Sequence, residues 1–161
     1  MSVDEGVLDA SSAINCINSG SLDLVLSIPE LSLGVGPIVR RECGDAALEA
    51  ALASGKLQTL DDSTIPAGRF LALLARYRLG DGETECLAIA ETQRLIMVTD
   101  DSAARQAAQE LLGAAKLTGS LGLFRRAVIA GLITAEDAMR RYEVMKAKGG
   151  FLPDIDLRFF R

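Results

Sequence analysis

Apolar residues along this chain fall into two rhythms. Short, nearly continuous apolar runs bounded by Gly, Pro or Asp alternate with longer stretches whose apolar residues recur every three or four positions. The first rhythm suits strands buried on both faces, and the second suits amphipathic helices. The runs predict strands over residues 6–8, 31–35, 57–60, 94–99 and 115–118. Between them the spacing predicts helices over 10–18, 21–26, 38–53, 68–77, 83–92, 102–112, 123–130 and 135–147. The punctuation agrees. Pro37 stands in a first helical turn, where its missing N–H costs nothing, and Gly55 and Gly113 stop helices. Thr134, with Asp137 three residues on, caps the last helix.

Strands alternating with helices predict a mostly parallel sheet covered on both faces, an α/β fold. The expectation is a single-domain α/β/α sandwich with four to five strands over residues 1–161, ending in an apolar, Pro-containing tail at 150–161. No internal repeat or linker breaks the chain. The longest apolar stretches meet Arg, Glu or Gly well short of a bilayer span. The N-terminus lacks the basic segment and apolar core of a signal peptide, so a cytoplasmic protein with no membrane partner is expected. Cys16, Cys43 and Cys86 are odd in number and lie in apolar helical stretches, which suits free thiols in a reducing compartment.

Composition narrows the chemistry. There is no His, which removes Ser-His-Asp and Cys-His catalysis, His-ligated zinc and a His general base. Carboxylates, hydroxyls, Lys, Arg or a metal-bound water must do whatever is done. The aromatic fraction is 4% with no Trp, too little for a stacking platform along a single strand. The net charge of −5 argues against an ordinary basic nucleic-acid binder. Acids gathered around divalent metal would offset that objection, and Arg40–Arg41, Arg69, Arg76, Arg78, Arg125–Arg126 and Arg140–Arg141 could supply local positive patches.

The acids carry the most information. Asp9 closes the apolar run Val7-Leu8, and Asp100–Asp101 close Leu95-Ile96-Met97-Val98-Thr99. Parallel strands present their carboxyl ends on one edge, where ligands bind. Acids collected there repel one another unless cations sit between them, and hard oxygen donors suit Mg²⁺ or Mn²⁺. Each acid also has an ordinary reading. Asp9 could simply cap a helix, and Glu83 could simply favour a helix N-terminus. Glu42 shares a helical face with Ile38 and Ala46, which predicts an inward direction, or it could be solvated beside Arg40 and Arg41. Glu85 points roughly 200° away from Glu83, so at most one of the two reaches a common site. Of Asp100 and Asp101, one is expected to cap the next helix and one to ligate. Ser11 and Thr99 stand beside site acids and could hold a water or a supporting oxygen. Together the acids predict a metal-dependent nuclease.

The ordered motifs resemble the PIN-domain nucleases. Val7-Leu8-Asp9-Ala10-Ser11 resembles their opening strand, and Ile38-Val39-Arg40-Arg41-Glu42 their "V-x-x-E" helix. Leu79-Gly80-Asp81-Gly82-Glu83-Thr84-Glu85-Cys86-Leu87-Ala88-Ile89-Ala90 is similar to the "LGxGExEAIxLA" segment of one prokaryotic subgroup. Ile96-Met97-Val98-Thr99-Asp100-Asp101-Ser102-Ala103-Ala104-Arg105 resembles its "DDxxAR" segment, and Thr118-Gly119-Ser120-Leu121-Gly122 its "GTLG" turn. The third acid, an Asp in many members, is Glu83 here, and the same counting favours Asp101 over Asp100 for the last. The resemblance implies catalytic acids at Asp9, Glu42, Glu83 and Asp101, with Asp100 a further metal-ligand candidate. Glu85, Arg105, Ser11 and Thr99 would support them. It also implies Mg²⁺ or Mn²⁺ and cleavage of single-stranded or structured RNA by metal-activated water, leaving a 5′-phosphate and a 3′-hydroxyl.

Many members of that subgroup are VapC-like toxins, so the resemblance extends to a toxin of a toxin–antitoxin pair. It implies a small antitoxin that covers or enters the acidic cleft, and a homodimer. Phe151, Leu152, Phe159 and Phe160 are apolar enough to cover such a surface or to pack back on the domain. The main rival keeps the fold and drops turnover: a PIN-like partner-binding module. A phosphate-transfer receiver or phosphatase fits worse, because Asp9 is not followed by another acid and Asp61–Asp62 lies in a turn. Dinucleotide binding fails, since Gly34-Val35-Gly36-Pro37 lacks the third Gly and carries a Pro.

Overall fold

Residues 2–161 are described by a computed structural model. Strand β1 (Asp4–Leu8) lies at the centre of a five-stranded sheet, and every pairing is parallel. On one side stand β2 (Leu31–Val35) and β3 (Gln58–Thr59); on the other, β4 (Ile96–Val98) and β5 (Leu117–Thr118), in the order β3-β2-β1-β4-β5. Gly6 pairs with both Leu33 and Ile96, so the central strand is flanked by two apolar neighbours in register. Val7, Leu8, Leu33, Val35, Met97 and Val98 are all buried, which is why these runs are apolar on both faces.

The helices are α1 (Ala10–Asn18), α2 (Leu22–Leu26), α3 (Pro37–Cys43), α4 (Ala46–Ala53), α5 (Arg69–Tyr77), α6 (Asp81–Gln93), α7 (Ser102–Leu112), α8 (Ser120–Ile129) and α9 (Ala135–Ala147). Helix α6 packs on β1 and β4 and is flanked by α5 and α7. Helix α1 packs with α2, α8 and α9, and α3 touches both α1 and α6. The architecture is the α/β/α sandwich expected. Chain order reverses direction at β1, and the crevice between the carboxyl ends of β1 and β4 is where ligands settle in such sheets.

Three expectations change. The single helix over 38–53 is two: Gly44 takes φ +50°, and Asp45 caps α4 by accepting from Ala47 N at 2.7 Å. A left-handed residue cannot continue a helix, so the chain turns there. Helix α6 starts at Asp81 rather than 83, and α8 starts at Ser120 rather than 123. Strands β3 and β5 keep only two residues each, because their flanks leave the ladder.

The tail divides. Phe160 is buried, and the Tyr142 hydroxyl fastens the segment by donating to Pro153 O at 2.8 Å. Phe151 stands in solvent at 95% exposure and Phe159 is 37% exposed. Among the described residues no helix is long and apolar enough to cross a membrane.

Candidate active site

Asp9 ends β1 and opens α1, with its backbone N–H donating to Val98 O of the neighbouring strand. Its carboxylate is buried and accepts from Ala10 N at 2.8 Å, Ser11 Oγ at 3.1 Å and Thr99 Oγ1 at 2.7 Å. Ser11 and Thr99 also touch each other at 3.2 Å. Burial pushes the Asp9 carboxyl above the usual range, these hydrogen bonds pull it back, and the charge of Asp101 pushes it up further. Asp9 is thus a helix cap whose buried carboxylate also feels the charge of Asp101.

Thr99, at the end of β4, joins the two acidic strand ends. Its hydroxyl donates to Asp9 and accepts from Asp101 N at 3.2 Å. Asp101 caps α7 by accepting from Ala104 N at 2.9 Å through Oδ2, which leaves Oδ1 without a protein donor. Glu83, in the first turn of α6, is half-buried. Burial raises its carboxyl, and the charges of Asp101, Asp9 and Glu42 raise it further, against a hydrogen bond from Gly80 N. Asp9, Glu42, Glu83 and Asp101 therefore feel one another, and among the described residues none forms an ion pair with Lys or Arg.

Glu42 reaches this group differently from its expected inward direction. It is exposed, in the last turn of α3, one residue before that helix ends at Cys43. Its carboxylate lies against Gly82 at the start of α6. A Cβ on Gly82 would stand 2.8 Å from Glu42 Oε1 and closer still to Oε2. Only a glycine leaves room for the carboxylate there, and the residue-by-residue reading of the acids missed Gly82. Its signal was the Gly immediately before Glu83.

Asp100 and Asp101 divide their work in a way not anticipated. Asp101 both caps α7 and faces the other acids. Asp100 turns away: it accepts from Asn15 Nδ2 at 2.8 Å, Ser120 N at 2.8 Å and Ser120 Oγ at 2.6 Å. It clamps α1, the end of β4 and the start of α8 together, outside the cluster. Asn15 and Ser120 were not foreseen; a buried amide among Ile14, Cys16 and Ile17 was the only sequence signal.

Glu85 also lies outside the cluster. It is buried and accepts from Ile38 N at 2.9 Å, so it holds the N-terminus of α3. Burial pushes its carboxyl up to about 7; the Ile38 N–H opposes this, Asp62 adds to it, and Arg41 opposes it. Gly36 makes the room: a Cβ there would lie 2.9 Å from the Glu85 carboxyl carbon. Arg105 donates through Nη1 to Thr99 O at 2.9 Å, bracing the turn that carries both aspartates. Cys16, Cys43 and Cys86 are free, and burial raises each thiol, Cys43 to about 11, so none is a thiolate nucleophile.

At the switch point of this parallel sheet the carboxylates of Asp9, Glu83 and Asp101 have no Lys or Arg partner among the described residues, which suits a cation rather than a nucleotide phosphate. The chain belongs to the PIN-domain family: the family model DUF3368, described as a PIN domain, matches residues 6–157. PIN domains are generally nucleases and usually use divalent metals. The crystal structure of PAE2754 from Pyrobaculum aerophilum is similar in fold, with a TM-score of 0.54 and 19% identity over 80% of this chain and 99% of that one. No curated protein matches the chain in sequence.

The donor set fits a hard divalent ion in chemistry: carboxylate oxygens only, with the Asp9 and Glu83 carboxyls raised first by burial and then by neighbouring negative charge. Among the described residues, no three or more Asp, Glu or Cys side chains form a cage placed to hold a metal ion. Mg²⁺ asks for no such cage, since it keeps several waters and uses one or two carboxylates directly.

Proposed function

We propose that this chain is a Mg²⁺- or Mn²⁺-dependent endoribonuclease that cuts single-stranded or structured RNA. The observation that carries the reading is the group of four carboxylates, Asp9, Glu42, Glu83 and Asp101, at the carboxyl edge of the sheet, with no basic partner among the described residues. These residues would hold a divalent ion, which would supply Lewis acidity to a water and to the phosphodiester. The chain's part is positioning. Thr99 and Ser11 fix the Asp9 carboxylate by hydrogen bonds, the α7 cap fixes Asp101, and Gly82 gives Glu42 its place. With no His in the chain, no imidazole competes as base.

The VapC-like motifs support a finer reading as a toxin acting in the cytoplasm. Its partners would be a small antitoxin that enters the acidic cleft and a second copy of the chain. Exposed Leu71 and Ile129 lie outside the tail and offer apolar surface for such contacts.

The test is cleavage of labelled single-stranded RNA with Mg²⁺, Mn²⁺ or EDTA, comparing wild type with Asp9→Asn. Metal-dependent cutting that the variant loses is the expected result. A folded wild type that cuts nothing under either metal would replace the enzyme with a partner-binding PIN module.

A further inference from the structure

Beside the acid cluster, on the far side of Asp100, lies a cavity of about 220 Å³ that the chemistry above does not use. Its apolar walls are Leu117, Leu121, Leu152 and Phe159, and its polar atoms come from Arg105 and Thr118. The volume falls below the roughly 300–1,000 Å³ of pockets for drug-sized ligands, and suits one flat ring system. Arg105 spends one N–H on Thr99 O and has no carboxylate partner among the described residues, so most of its five donors remain. Asp100 also borders the cavity, but both its oxygens are engaged by Asn15 and Ser120.

The tail builds the mouth. Gly150 packs so closely on Asn15 that a Cβ would lie 2.7 Å from its Oδ1, and Leu152 and Pro153 form a wall. Phe151, between them, has its ring almost wholly in solvent. Phe151 does not itself line the cavity but directly precedes Leu152, which does, and an exposed ring one residue from an apolar slot has a free face on which a base can stack. The Arg125 guanidinium lies 6.0 Å from the Phe159 ring centroid, which adds positive charge on the same side.

We propose that this cavity receives one unpaired nucleobase of the substrate strand, with Arg105 and Thr118 facing its edge and Phe151 stacking on the adjacent base. The inference rests on the ribonuclease reading and names its substrate as unpaired RNA at this step. Single-stranded bases splayed from the backbone are what proteins read in RNA, through aromatic stacking and edge hydrogen bonds.

Fluorescence anisotropy with the Asp9→Asn protein in Mg²⁺ tests it. The probes are a labelled oligouridylate of about ten nucleotides and the same chain with abasic residues at its centre. Intact RNA should bind about tenfold more tightly than the abasic chain. Phe151→Ala and Arg105→Gln should each remove most of that difference, and Phe151→Trp should keep it. Equal binding of both probes, or a preference untouched by Phe151→Ala, overturns the base site while the ribonuclease reading stands. No binding of either probe by this variant or by wild type overturns both.

Discussion

Glu85 Oε1 accepts the backbone N–H of Ile38 at 2.9 Å, and through that one bond α6, which carries Glu83, holds α3, which carries Glu42. The two acids keep their spacing because a third, buried acid ties their helices together.

That tie has a pH signature. The Glu85 carboxyl is pushed up to about 7 in the folded chain, from an ordinary 4.5. Between those values the folded chain holds a proton that the unfolded chain has released. Stability from this group is thus full below about 4.5, falls as pH rises towards 7, and is level above. Glu85→Gln keeps an acceptor for Ile38 and removes the titration. Its melting temperature relative to wild type, measured without metal, should rise from about pH 5 to 7 and then stop changing. A difference constant with pH would show that Glu85 does not titrate there.

Metal should stabilise the fold through the four acids. At a free concentration about a hundredfold above its Kd, Mg²⁺ or Mn²⁺ should add about 2.7 kcal/mol, or roughly 5–10 °C in a chain of this size. Asp9→Asn and Asp101→Asn should lose most of that rise. Asp9→Asn should melt no lower than wild type in EDTA, because a buried, repelled charge has gone. Scanning calorimetry with and without metal reads both effects.

Asp100→Ala should behave in the opposite way. It strands Asn15 Nδ2, Ser120 N and Ser120 Oγ, which costs about 2–4 kcal/mol. Its melt should drop in EDTA while the metal-induced rise survives. Loss of that rise with little change in the metal-free melt would make Asp100 a ligand.

Gly82→Ala separates folding from function. Alanine favours a helix over glycine by about 1 kcal/mol, and Glu42 is a surface side chain free to swing aside. The variant should melt at or above wild type in EDTA, yet cut RNA at least about tenfold more slowly because Glu42 has lost its place. Unchanged cleavage rates would remove Glu42 from the metal site.

Much of this was legible in the sequence, and the remainder was hidden for identifiable reasons. Asp9 and Asp101 show themselves because each ends an apolar run and precedes a helix, a pattern local to a few residues. The break at Gly44 was hidden because the helical spacing of Ile38 and Val39 runs on into the Ala-rich stretch 46–53, and of the two directions open for Glu42 the solvated one holds. The Asp100 clamp could not be read at all, since its partners lie 85 and 20 residues away in sequence. Local patterns locate acids; which way each one faces is decided by packing at a distance.

The parallel pairing of Leu8 with Val98 has a consequence for the newly made chain. Residues 1–80 carry Asp9 and Glu42 but neither Glu83, Asp101 nor the strand that seats Thr99 beside Asp9. A ribosome-bound or truncated chain therefore cannot assemble the site, however well its first helices form. For the ribonuclease proposed above, synthesis itself is a safety interval. Its acids come together only once β4 has docked against β1, so the site and the central pairing of the sheet are completed in one step.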